Sequence, residues 1–353
     1  MNAKENYLRA FRFERPDHIP VAYAINPACW TLNDHEHIFD LMESHPLLFR
    51  GYKRPEEGYK PVFSLVARED EPFLDDFKCL WKTSMNGLTG TVVQHPLENW
   101  DNFDAWKKNI PNPEICMGIG PIDWEKKKKE IQENRSLDKL TMAWLRHGHT
   151  FLQLSDIRGY QNLLYDFNDE DSRLWELIEI IENFNMAIVM RYMEIGVDVF
   201  AYPDDLGMQK GPMVSPADFR KYIKPSYERL MKPARDRGIP VHMHSDGDIR
   251  DLVDDLIDGG AEIINLQDLV NGIDYIKQRL AGKICVELDI DRQDITVFGT
   301  PKDIDKHIRQ AVQTIGSKEG GLMMIYGWYP GTPIENAAAV MDAMEKYAYF
   351  FNT

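Results

Sequence analysis

The sequence predicts an α/β protein built as a (β/α)8 barrel with an irregular N-terminal region. Three observations carry that expectation. From residue 141 onward, short apolar runs alternate with amphipathic stretches, the pattern of a parallel sheet with helices outside it. The signature Ser/Thr-Pro-x-Asp/Glu recurs at Ser215, Thr300 and Thr332, each time where the alternation needs a helix start. Strand-like runs near 20, 91, 141, 197, 240, 262, 284 and 322 make eight, the number that closes such a barrel. A doubly wound sheet would favour a Gly-rich phosphate loop after its first strand, and none is present.

In chain order, residues 3–12 read as a short amphipathic helix with Tyr7, Leu8 and Phe11 on one side. Arg15-Pro16-Asp17-His18 breaks it, and Ile19–Ile25 is the first strand. Residues 26–140 are rich in Pro, Trp and charge. Within them Thr91–Gln94 reads as a strand and Trp124–Gln132 as a charged helix, whose lysines at 126–129 form a solvated face. Thr141–Leu145 is a strand, followed by a helix over about 170–194, opened by Asn168 and Asp169 and closed by Gly196. Val197–Tyr202 is the next strand. Ser215 opens a helix that Gly238 closes. Then comes a strand through His242 and His244, a helix over Ile249–Ile257, and strands at Ala261–Leu266 and Lys283–Leu288. A helix from Thr300 to Ile315, a strand over Gly321–Tyr326 and a helix from Thr332 complete the pattern.

The chain has 353 residues, of which 43% are apolar, so a sizeable core is expected. Its net charge of −16 argues against non-specific binding to nucleic acid or to an anionic membrane. The four cysteines are scattered, with no Cys-x-x-Cys, which suits a reducing cytosol and forms no thiolate cluster. The N-terminal stretch lacks a signal-peptide apolar region, and a cytoplasmic location is expected.

In a barrel the active site lies past the carboxyl ends of the strands. Those positions hold Arg146, His147 and His149; Tyr202, Asp204 and Asp205; His244, Ser245 and Asp246; Gln267 and Asp268; Glu287, Asp289 and Asp291; and Tyr326, Trp328 and Tyr329. His242, His244 and Asp246 are spaced two apart, so they share one face if the strand geometry continues. His244 and Asp246 suit Zn²⁺ or another borderline divalent ion, with Glu287 as a third ligand from a neighbouring strand end. The plain alternative is that Ser245-x-x-Asp248 is a capping box and His244 has a backbone partner. Asp204 and Asp205 can share a proton and divide acid and base roles, or cap a turn. His147 and His149 can act as ligands or acid-base groups, or sit as exposed loop histidines.

Several segments match a known family in order and spacing. They are Asp204-Asp205-Leu-Gly-Met-Gln209, Ser215-Pro-x-x-Phe219, Lys224-Pro225, His244-Ser-Asp-Gly247, Gly299-Thr-Pro301 and Pro333-x-Glu335-Asn336. The chain resembles the uroporphyrinogen decarboxylase-like superfamily, and within it the corrinoid-dependent methyltransferases more than the true decarboxylases. Arg15-Pro16-Asp17-His18-Ile-Pro20 resembles the family's start. The resemblance implies one (β/α)8 domain over 1–353, with 26–140 an irregular, substrate-capping part.

Two departures narrow the implied function. True decarboxylases of the family carry arginines after the first strand, which a substrate with eight carboxylates needs. Here that stretch, Val21 to Trp30, has none. The family's zinc methyltransferases use His-x-Cys and a later Cys. This chain keeps His244, has Asp246 in the place of the first Cys, and has no Cys near Tyr326–Tyr329. A His/carboxylate site is harder than a thiolate one and suits activation of an oxygen.

The resemblance therefore implies a methyltransferase that moves a methyl group from a small, O-methyl aromatic donor to a cobalamin on a partner corrinoid protein. Zn²⁺ would sit on His244, Asp246 and Glu287. Asp204 or Asp205 would handle a proton, and Tyr202, His147, Trp328 and Tyr329 would bind substrate. A homodimer is allowed. The alternatives are a metal-independent decarboxylase or lyase of a small acid, and a non-catalytic corrinoid- or ligand-binding barrel.

Overall fold

The computed structural model describes residues 1–55 and 59–352. Among them are ten strands: β1 (Val21–Ile25), β2 (Phe73–Leu74), β3 (Leu80–Lys82), β4 (Thr91–Gln94), β5 (Met142–Trp144), β6 (Val199–Pro203), β7 (Val241–Ser245), β8 (Ile263–Gln267), β9 (Cys285–Asp289) and β10 (Leu322–Trp328). The main sheet has seven strands in the order β1-β10-β9-β8-β7-β6-β5, and β2-β3-β4 form a smaller sheet. The β1–β10, β10–β9, β5–β6 and β6–β7 pairs are parallel.

The fold is thus mixed α/β with the expected parallel strands, but the count of eight needs correction. The run at Thr91–Gln94 is β4, paired antiparallel with β3. Its side chains are exposed or half-exposed, whereas barrel strands are covered on both faces. Among the described residues the main sheet stops at seven strands, with β1 and β5 at its ends.

The chain divides into two compact units, each assembled from separate segments. One comprises Met1–Glu71, Thr83–Gly90 and Leu266–Thr353. In it β1 pairs with β10 with Tyr23 opposite Tyr326, and β10 pairs with β9 with Met323 opposite Glu287. Every residue of β9 is buried. The helix Pro301–Ile315 starts as expected: Thr300 and Asp303 form a reciprocal capping box, a motif worth about 1 kcal/mol. It packs on the helix Ile334–Ala348, where Asp305 takes Lys346 at 2.7 Å and the Tyr347 hydroxyl at 2.9 Å. The start expected at Thr332 differs. That hydroxyl lies 3.3 Å from the Tyr326 hydroxyl, and the helix begins at Ile334 with no side-chain cap.

The other unit comprises Pro72–Lys82 and Thr91–Asn265. Its longest helix, Ser172–Ile195, is capped by Asp171 rather than by Asn168 or Asp169, which end the preceding helix Tyr160–Asp169. It buries Leu174, Leu177, Ile178, Ile181, Phe184 and Ile188, the i, i+3, i+4 stripe of a core-facing helix. Each such side chain contributes about 2 kcal/mol through burial. This helix packs on Lys224–Arg235, where the Ser226 hydroxyl donates to Glu182 at 2.7 Å. Ser215 caps the turn Pro216–Asp218, as expected from its motif, by accepting the Asp218 N–H.

Ser245 and Asp248 do not form the expected capping box. The Ser245 hydroxyl accepts the Leu206 N–H at 2.9 Å, and the helix that follows begins only at Val253.

Candidate functional site

Strands β5, β6 and β7 run in parallel, with Trp144 opposite Ala201 and Pro203 opposite His244. Their carboxyl ends therefore lie together. The backbone continues this register beyond the strands: Gly148 N–H donates to Pro203 O at 2.9 Å, and Asp204 N–H to His244 O at 3.0 Å. Three successive strand ends thus deliver His147, Asp205 and His244 to one place.

The three side chains converge on a single oxygen. Asp205 Oδ1 lies 3.4 Å from His147 Nε2 and 3.5 Å from His244 Nε2. The ligand atoms of all three residues fall within 4.8 Å of one another. Asp246 is next to them, its Oδ1 3.9 Å from His244 Nε2. Its backbone N–H donates to Asp205 Oδ1 at 3.0 Å, which fixes that carboxylate.

His244 is oriented from behind. Its Nδ1 is hydrogen-bonded to Asn265 Oδ1 on β8. Since an amide oxygen only accepts, Nδ1 carries the proton and Nε2 is the atom turned toward Asp205. Burial would push this imidazole down, but the facing Asp205 carboxylate and the charge of Asp246 outweigh it and raise the pKa to about 9. Burial would raise Asp205 in turn. The two facing imidazoles, His147 and His244, outweigh burial and hold it well below the usual carboxylate range.

The loops that carry these groups are pinned. Gly207 and Gly247 touch backbone to backbone: a Cβ on Gly247, which has φ +79°, would stand 2.2 Å from the Gly207 carbonyl carbon. Asp248 holds the same loop by accepting the Gly211 N–H at 3.1 Å. On the β5 side the Arg146 guanidinium pairs with Asp156 at 3.0 Å and with Gln153, and its Nε donates to His147 O. His147 itself projects outward, with its side chain 51% exposed.

Asp204 has a different fate from its neighbour. It is fully buried and accepts the N–H groups of Thr150, Phe151 and Leu152 and the Tyr227 hydroxyl. A carboxylate there satisfies orphan donors at the start of the helix Phe151–Arg158. That network accounts for Asp204 as a structural group rather than as a proton-transfer group. Burial raises its pKa despite these bonds. His149 is likewise enclosed, hydrogen-bonded to Thr150 Oγ1, and pushed down to about 3, by burial first and then by His147 and Arg146.

The residues expected to bind substrate separate in the same way. Tyr202 is buried and its hydroxyl donates to Leu230 O; Trp328 is buried and its Nε1 donates to Thr332 O. Both face core rather than an open surface. Tyr329 is 40% exposed, with the Arg292 guanidinium over its ring. Glu287, expected as a metal ligand, belongs to the other unit. On β9 it shares a face with Cys285. After burial, its charge helps hold the Tyr7 phenol, on the helix Ala3–Arg12, well above its ordinary value.

Asn265 escaped the sequence reading. Its signal was a single amide inside the apolar run Ile263-Ile264-Asn265-Leu266, because a buried polar residue in a core strand needs a partner. Asp205 and His147 were read there, but not as neighbours of His244.

Residues 151–347 match the family described as Uroporphyrinogen decarboxylase (URO-D). The chain belongs to that family. A uroporphyrinogen decarboxylase from Thermus thermophilus is 31% identical over 140 residues, 38% of each chain. One from Syntrophotalea carbinolica is 24% identical over 137 residues, 38% of this chain and 39% of that one. The chain therefore spans less than half the length of these curated family members. Among solved structures, a methyltransferase from Methanosarcina mazei superposes with a TM-score of 0.63 at 15% identity, covering 98% of this chain and 99% of that one. The likeness shows that the two chains share a fold over almost their whole length.

Proposed function

We propose that this family member is a methyltransferase that moves a methyl group from a small O-methyl aromatic donor to a cobalamin carried by a partner corrinoid protein, assisted by a metal ion at His244. The observation that carries the reading is the convergence of His147 and His244 on Asp205 at the strand ends. The fold shared with the Methanosarcina mazei methyltransferase supports it. So does β1, which leads into Asn26-Pro27-Ala28-Cys29 with no arginine for a polycarboxylate.

The donor set fits a borderline or hard divalent ion, since it offers imidazole nitrogens and a carboxylate but no thiolate. Bound there, such an ion would supply the Lewis acidity that polarises an ether oxygen. The chain's own residues do the rest. Asn265 holds His244 in the tautomer that presents Nε2. Asp205 sets the spacing of the two imidazoles. Loss of a methyl group leaves the donor oxygen in need of a proton. Asp246, at 36% the most exposed of the side chains of Asp204, Asp205 and Asp246, is the carboxylate positioned to exchange one with solvent. Residues 26–140 keep the substrate-capping role in this reading.

A second reading, decarboxylation of a small acid without metal, is favoured by one observation. His244 and His147 lie 3.5 and 3.4 Å from Asp205, and an imidazole protonated there would present a cation to a carboxylate. Anaerobic incubation with methoxylated aromatics and reduced cobalamin separates the two. The methyltransferase reading expects methylcobalamin and a free phenol, with at least a hundredfold loss in His244→Ala. Release of carbon dioxide from small acids, with no methylcobalamin, overturns it in favour of the second. Saturable ligand binding with turnover of neither kind points to a binding barrel.

A further inference from the structure

We infer that one divalent cation is bound by His147 Nε2, Asp205 and His244 Nε2, and that Asp246 supports this set rather than belonging to it. The inference rests on the metal-assisted reading above and replaces the ligands expected from sequence.

Geometry carries the argument. The two imidazole nitrogens stand 3.4 and 3.5 Å from one carboxylate oxygen. These separations are long for hydrogen bonds, which cluster near 2.9 Å for N–H to O. They do match the edge of a tetrahedron. Two ligand atoms each about 2.0–2.1 Å from a shared ion at the tetrahedral angle are about 3.4 Å apart. The three residues come from three different strand ends, so no local turn or cap dictates their meeting.

The surroundings hold the same arrangement. The Asn265 contact directs the His244 proton to Nδ1 and leaves Nε2 as the ligand atom, and a hydrogen bond from the second ring nitrogen is what orients a metal-bound histidine. The Asp246 N–H orients Asp205 Oδ1. The backbone contact of Gly207 with Gly247 fixes the Asp205 loop against the turn after His244. Arg146 tethers the backbone of His147. Three protein ligands leave a tetrahedral ion one position for an exchangeable oxygen, and two nitrogens with one oxygen select Zn²⁺, Co²⁺ or a similar ion over Ca²⁺.

The test is titration of the full chain, stripped with chelator, with Co²⁺ followed by visible absorption and with Zn²⁺ followed by calorimetry. The wild type is expected to bind about one equivalent with a tetrahedral cobalt spectrum. His147→Gln and Asp205→Asn should each weaken binding by at least about tenfold, and Asn265→Ala by a similar factor. Asp246→Asn should stay within about threefold. His147 is half exposed, so its variant tests the claim even if Asp205→Asn fails to fold. The inference is overturned if the wild type shows no saturable binding, or if His147→Gln binds like the wild type. Methyl transfer is assayed on the same preparations. Transfer without a bound cation would sink the ligand set and keep the methyltransferase reading. Cation binding as expected without transfer would do the reverse.

Discussion

Asp204 and Asp205 are adjacent carboxylates at one strand end, yet their environments differ completely. Asp204 faces inward and is consumed by three backbone N–H groups and a tyrosine hydroxyl. Asp205 faces two imidazoles. Asp204→Ala should therefore lower stability by about 3 kcal/mol, because it leaves four donors buried without their acceptor. Urea unfolding checks this, and a change under 1 kcal/mol would contradict it. His149 gives a pH signature. Its folded pKa is about 3, against about 6.5 when unfolded. Above 6.5 both states are neutral and it contributes nothing. As the pH falls from 6.5 towards 3 only the unfolded state takes the proton, so stability drops. Asp156, raised to about 6, mainly by burial, acts in the opposite sense over much of the same window. The comparison that isolates His149 is wild type against His149→Gln, whose stability should fall less between pH 7 and pH 4. Equal slopes would count against this account. Neither aspartate's role was legible in the sequence, because the backbone donors to Asp204 lie more than 50 residues away along the chain and its Tyr227 partner lies 23 away.

At the level of elements, the parallel strands were legible because burial on both faces makes them continuous apolar runs, as in β8 and β9. Helix starts were legible where the cap is local, as at Ser215 and Thr300. Readings failed where a distant group competes. Ser245 looked like a cap, but its hydroxyl is taken by Leu206 from the loop after β6. Thr91–Gln94 was recognised as a strand, but four residues say nothing about which sheet recruits them. Much of 26–140 is held by contacts remote in sequence, such as Trp106 Nε1 to Phe77 O and Trp100 Nε1 to Asp166. The contact between Gly207 and Gly247 belongs to this scale too. Gly247→Ala should cost about 2 kcal/mol or more, from a left-handed φ combined with a backbone clash. It should also weaken cation binding by moving Asp205. Gly211→Ala is the control, since φ is +84° there but the space is open, and it should show the conformational cost alone.

At the scale of the whole molecule, the net charge of −16 makes a nucleic-acid role a poor fit, and no helix among the described residues is long and apolar enough to cross a membrane. Membership of the uroporphyrinogen decarboxylase family was legible from ordered motifs, several of which fall on the loops that build the site: Asp204 to Gln209 and His244 to Gly247. What those motifs could not convey is that His147, from a separate strand end, completes the group. We propose that this chain moves a methyl group from oxygen to cobalt. The most direct test of this is the anaerobic absorption spectrum of reduced cobalamin mixed with the protein and a methoxylated aromatic. Conversion to methylcobalamin, matched by phenol release and lost in His244→Ala, is the expected result. An unchanged cobalamin spectrum across such donors, with carbon dioxide released from a small acid instead, would contradict it.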